Sequence, residues 1–152
     1  MIAPRQAPAE PRTTTPATGG GGSLGTPIAW GLVWGCLQAA SPLAFFWLSD
    51  TTVYAFGLAV IAAIYIGFAV ADGRARVLAL EGTVAVLFVA LAIAALTGSA
   101  WLVVAGFAGH GLKDLWQHRT RFVRNARWWP PFCATVDFVA AGILAVHTIF
   151  TI

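Results

Sequence analysis

Five stretches of this sequence, 28–48, 53–71, 77–96, 100–109 and 132–152, are mostly apolar, and all but the fourth are close to 20 residues long. A helix needs about 20 such residues to cross the hydrocarbon layer of a bilayer. With 59% hydrophobic and 10% charged residues, the chain lies far from the mix of a water-soluble domain. Backbone groups in lipid must be satisfied internally, so only helices or closed barrels can span. Nothing in the sequence alternates like the strands of a barrel. The expected fold is therefore all-α, a transmembrane helical bundle of five spans near 27–48, 52–71, 76–96, 99–118 and 131–151.

Residues 1–26 are rich in Pro, Thr, Ala and Gly, with Arg5, Glu10 and Arg12 as their only charges. They bury too little apolar surface to order themselves and read as a disordered tail ahead of a membrane domain at 27–152. The nine basic residues fall into three groups: Arg5 and Arg12; Arg74 and Arg76; and Lys113, Arg119, Arg121, Arg124 and Arg127. Five spans put all three groups on one side, while the opposite connections, 49–52 and 97–99, carry no Lys or Arg. Positive charge marks the cytoplasmic side, so the tail is expected in the cytoplasm. The short fourth run must then cross, because otherwise the Arg-rich connection would face outward.

The formal charge of +3 points to anionic lipid headgroups rather than nucleic acid, because spans interrupt the basic groups. Trp128 and Trp129 fit the headgroup level, and Pro130 and Pro131 fit a helix start, where a missing N–H costs nothing. Cys36 and Cys133 form no C-x-x-C or Cys/His pattern and predict neither a disulfide nor a zinc knuckle. Glycines at 57, 67, 82, 106, 109, 111 and 142 predict close helix approach or homo-oligomer contacts, or contacts within a larger membrane complex.

Ionisable groups within spans are costly and usually turn toward a bundle interior. His110, Asp114 and His118 recur every four residues, which places them on one helix stripe together with Gln117 and Arg121, opposite Leu112, Leu115 and Trp116. At about 1.5 Å per residue, Glu81, Asp114 and Asp137 lie at one depth, roughly 6 to 9 Å inside the Arg-rich boundary. Tyr65 falls near that level, with Cys133 one turn from Asp137, and Trp30, Trp34 and Gln38 form a second stripe on the first helix.

Three readings stay open at this point. Glu81, His110, Asp114, His118 and Asp137 are suitable ligands for Zn, Fe or Mn, with Glu81 or Asp137 available as acid or base. The same groups suit a proton relay in a small transporter. Alternatively, Asp114 and Asp137 pair with His110, Lys113, Arg119 or Arg121 and hold helices together, as in a non-enzymatic accessory subunit.

Asp72-Gly73-Arg74, Glu81, His110-Gly111-Leu112 with Asp114 and His118, and Trp129-Pro130-Pro131-Phe132-Cys133 with Asp137 together resemble small uncharacterised bacterial polytopic membrane proteins over residues 28–152. The resemblance implies an inner (plasma) membrane setting and carries no activity, cofactor or partner. The expected function is that of a membrane protein with a polar, metal-binding site in its cytoplasmic half, acting on a lipid-soluble substrate.

Overall fold

A computed structural model describes residues 24–151 as six helices: α1 (Gly25–Ala39), α2 (Ser41–Ala44), α3 (Asp50–Asp72), α4 (Ala75–Thr97), α5 (Trp101–Thr120) and α6 (Trp129–Thr151). Of the expected tail, residues 1–23 lie outside the described residues, and Gly25 and Thr26 already belong to the first turn of α1. The helices α3, α4 and α6 are each 23 residues long and apolar enough to cross a membrane. Their outer faces are apolar, with Phe56, Val86 and Phe150 more than 60% exposed.

The first apolar run is not one helix. The 15 residues of α1 reach only about 22 Å, and the chain then breaks at Ala40 before Pro42, which has no N–H to continue the ladder. Ser41 Oγ donates to the Gln38 carbonyl at 2.7 Å, and Phe45, Phe46 and Trp47 pack edge to face beyond it. Periodicity alone does not reveal this break, because the residues around it are as apolar as the helix. The Tyr54 hydroxyl, on α3, donates to the Ala39 carbonyl at 2.6 Å and satisfies one of the acceptors left at the end of α1. Tyr54→Phe is expected to destabilise the protein by about 1 kcal/mol in detergent thermal unfolding.

Helix α3 starts at Ser49, whose Oγ accepts from the Thr52 N–H at 3.3 Å, and ends at Gly73 in the left-handed region at φ 77°. Glycine adopts that conformation without a Cβ clash, so α3 and α4 form a tight hairpin. Asp72 accepts from Arg74 Nε at 2.5 Å and Nη2 at 2.8 Å and from the Arg124 N–H at 2.9 Å, while Arg74 also donates to the Phe122 carbonyl at 2.6 Å. These bonds fasten the α3–α4 turn to the connection between α5 and α6. The bonded carboxylate raises the Arg74 guanidinium above its ordinary range.

Helix α6 packs between α1 and α5, and the α3–α4 hairpin closes on α5. Gly31 and Gly35 of α1 face α6 so closely that a Cβ on Gly31 would stand 2.6 Å from Thr135 Cβ, and one on Gly35 would stand 2.7 Å from Val139 Cβ. By contrast, Gly67, Gly82 and Gly142, expected to serve close helix approach or contacts between copies, face open space within this chain and bring no two of its helices together. Gly106, Gly111 and Gly57 do meet neighbours, in Leu58, Phe138 and Gln38.

Antiparallel helices sort the interior into layers. Tyr54 and Leu58, Ala92 and Ala95, Val103 and Phe107, and Ala141 and Leu144 form the main apolar core, in the half away from the Arg-rich connection. Ala69, Val77 and Val123 form a smaller apolar cluster at the Arg-rich end. Buried Glu81, His110, Asp114 and Asp137 lie between these clusters.

Candidate functional site

Helix α5 turns one face inward and one outward. Its apolar residues Leu112, Leu115 and Trp116 are exposed on the bundle surface, while His110, Asp114 and Gln117 are buried to within 2%. In water the opposite arrangement would be stable; against lipid, a polar stripe belongs inside. Gly111 brings α6 near, in contact with the Phe138 ring, and α6 contributes Asp137 one turn beyond Cys133. Both acids are fully buried.

His110 Nδ1 stands 2.8 Å from Asp137 Oδ2 and 3.7 Å from Asp114 Oδ2. One ligand-capable atom from each of these three residues lies within 4.8 Å of the others. Atoms coordinated to one small cation at about 2.0–2.2 Å lie about 3–3.5 Å apart, so modest side-chain adjustment would suffice. Around this group, His110 Nε2 is buried without a hydrogen-bond partner among the described residues, while the Asp114 carboxylate interacts with the Tyr65 hydroxyl, with Asp137 and, at 3.7 Å, with His110. Two fully buried carboxylates in contact with each other and with one imidazole set this cluster apart from ordinary packing, because buried acids are costly unless charge or a shared proton compensates them. The Tyr65 and Phe88 rings meet the imidazole edge on, with centroids 5.7 and 5.1 Å away, and give it a largely apolar wall.

Glu81 sits in a different arrangement. Its Oε2 lies 2.7 Å from Lys113 Nζ, and its Oε1 accepts from Gln117 Nε2 at 2.5 Å. Gln117 Oε1 accepts in turn from the Val123 N–H at 3.2 Å, and the Lys113 ammonium lies 3.4 Å from the centre of the Tyr65 ring. Glu81 is therefore compensated in charge by Lys113 and hydrogen-bonded at Oε1 by Gln117, and it is not among the three residues that converge for a cation.

The other candidates separate from the triad. His118 is half-buried near the end of α5 and outside the convergent group. Arg121 leaves the α5 stripe, because at φ 54° it is the left-handed cap that ends the helix. Cys133 is buried as a free thiol, Cys36 is exposed, and Trp30 and Trp34 face outward. Sequence spacing did not identify Phe88 as part of the wall or Lys113 as the partner of Glu81. The separation of Lys113 and Gln117 by four residues was a usable signal for the latter, since both reach one point on α4.

No protein family, no curated protein and no solved structure matches this chain. Chemically, two buried carboxylates beside one imidazole can hold a cation or exchange a proton. With Lys113 committed to Glu81, His110 is the basic group paired with Asp114 and Asp137.

Proposed function

We propose that the chain is a five-span membrane protein of a bacterial inner membrane, with a cytoplasmic N-terminus, that holds one divalent metal ion between His110, Asp114 and Asp137 in its cytoplasmic half. The observation that carries this reading is the convergence of one imidazole and two fully buried carboxylates, with one ligand-capable atom of each within 4.8 Å of the others. A divalent cation neutralises two carboxylates that hydrocarbon would otherwise strongly disfavour. The mixed nitrogen and oxygen donors suit Zn, Fe or Mn. A metal in this apolar enclosure would polarise an oxygen of a lipid-soluble substrate reaching it between helices.

The orientation rests on Arg74, Arg76 and the Arg-rich connection sharing one end of the bundle, opposite two connections without basic residues. For five crossings, α1 with its aromatic turn and the 20-residue α5 join the three longer helices. Polar groups keep α5 below the hydropathy of the others, and their inward orientation removes that penalty. A proton-exchanging transporter or accessory subunit is the second reading, favoured by the Asp114 oxygens, which can take a proton as readily as a metal.

Elemental analysis of detergent-purified protein tests the choice. One Zn, Fe or Mn per chain is expected in the parent and background levels in folded His110→Ala and Asp114→Asn variants. A folded parent that stays metal-free after incubation with each ion overturns the metal reading in favour of the proton reading.

A further inference from the structure

The connection between α5 and α6 contains a second concentration of unmatched polar groups, opposite in character to the triad. Its side chains offer donors and almost no acceptors. Among the described residues, the guanidiniums of Arg119, Arg121, Arg124 and Arg127 have no carboxylate at ion-pair distance, whereas Arg74 is held by Asp72. Asn125 Nδ2 and Trp129 Nε1 are buried without a hydrogen-bond partner. An amide NH2 and an indole N–H can only donate. The two residues flank a turn closed by the Trp129 N–H donating to the Ala126 carbonyl at 3.0 Å, which keeps them close in space. Trp128 and Trp129 stack edge to face, and Trp129 packs on Phe68 of α3, so the segment is fixed against the bundle.

We infer that this connection is a specific binding site for the headgroup of an anionic phospholipid, with the arginines attracting the phosphate and Asn125 and Trp129 donating to its oxygens or to the adjoining ester carbonyls. A phospholipid fits better than a soluble anion because the donors stand at the mouth of a membrane-spanning helix, α6, beside exposed tryptophan. The headgroup can sit among the arginines while its acyl chains follow the apolar outer face of α5, where Leu112, Leu115 and Trp116 are exposed. General attraction of a basic loop to a charged surface would leave Asn125 and Trp129 without a role. A headgroup supplies acceptors to both once the Asn125 and Trp129 side chains, whose donor atoms are shielded from solvent in this conformation, rotate outward to meet it.

Native mass spectrometry of protein extracted from vesicles of equal parts phosphatidylglycerol and phosphatidylcholine tests the inference. The parent is expected to retain phosphatidylglycerol preferentially, and to keep that preference at high salt, because buried hydrogen bonds are screened less than surface charge. Asn125→Leu and Trp129→Phe should each reduce the preference by about tenfold at high salt. Arg124→Gln with Arg127→Gln should reduce it mainly at low salt, and these exposed positions provide a readout if either buried substitution prevents folding. Equal retention of the two lipids overturns the site. So does an unchanged preference in folded Asn125→Leu and Trp129→Phe proteins, which would reduce the loop to a diffuse charge. Displacement of the lipid by inorganic phosphate would show a free-anion site and overturn the assignment to lipid. None of these readouts depends on metal at the triad.

Discussion

Lys113→Met is expected to destabilise the folded protein by about 3–5 kcal/mol, the usual consequence of leaving one member of a buried ion pair without its partner. Methionine keeps most of the lysine stem, so packing against Tyr65 changes little and the missing ammonium dominates. Glu81 is 1% exposed, with its Oε2 2.7 Å from Lys113 Nζ. After the substitution its remaining partner is Gln117 Nε2, and one neutral hydrogen bond does not compensate a buried carboxylate. Combining Lys113→Met with Glu81→Gln removes the charge itself, and the double variant should recover most of the lost stability. Thermal unfolding of the parent, both single variants and the double variant in one detergent gives the coupling directly. A neutral Lys113→Met, or a double variant no better than it, would show that Glu81 is not held by Lys113. It would also return Glu81 to the pool of carboxylates available to the triad.

What the sequence made legible, and what it hid, divides along physical lines. Hydrocarbon acts on every residue in a run, so helix class and the runs containing α3, α4 and α6 follow from composition and length alone. The inward stripe on α5 is legible too, since His110, Asp114 and Gln117 share a helical face and all three are buried in the bundle. Depth arithmetic placed Glu81, Asp114 and Asp137 at one level, but depth does not specify rotation about each helix axis. That rotation separates Glu81, tied to Lys113 and Gln117, from the pair of aspartates that meet His110. The break after Ala39 was hidden because a proline one residue past a serine lies within an unbroken apolar run. Spacing assigns Arg121 to the stripe, whereas its left-handed conformation ends the helix instead. Local backbone turns of this kind leave little trace in hydropathy.

Glycine contacts are the least legible feature of all, since a glycine facing lipid and one facing a helix look identical in sequence, and Gly31→Leu or Gly35→Leu tests the distinction. Either change is expected to lower stability by about 1–3 kcal/mol through overpacking, whereas Gly67→Leu should leave it unchanged or raise it by up to about 1 kcal/mol. Leucine is a better helix former than glycine by about 1 kcal/mol, so propensity alone predicts stabilisation at all three positions, and close approach must reverse the sign at two of them. At Gly31 the new Cβ would stand 2.6 Å from Thr135 Cβ and 2.8 Å from the Phe132 carbonyl oxygen; at Gly35 it would stand 2.7 Å from Val139 Cβ and 3.1 Å from the Val136 carbonyl oxygen. The carbonyls belong to α6 backbone and cannot rotate aside, so α1 must move away as a unit. At Gly67 nothing lies within 4 Å, and the leucine simply enters lipid. The measurement is the thermal midpoint of each variant in the same detergent, and equal stabilisation at all three positions would show that α1 does not pack on α6 through this pair.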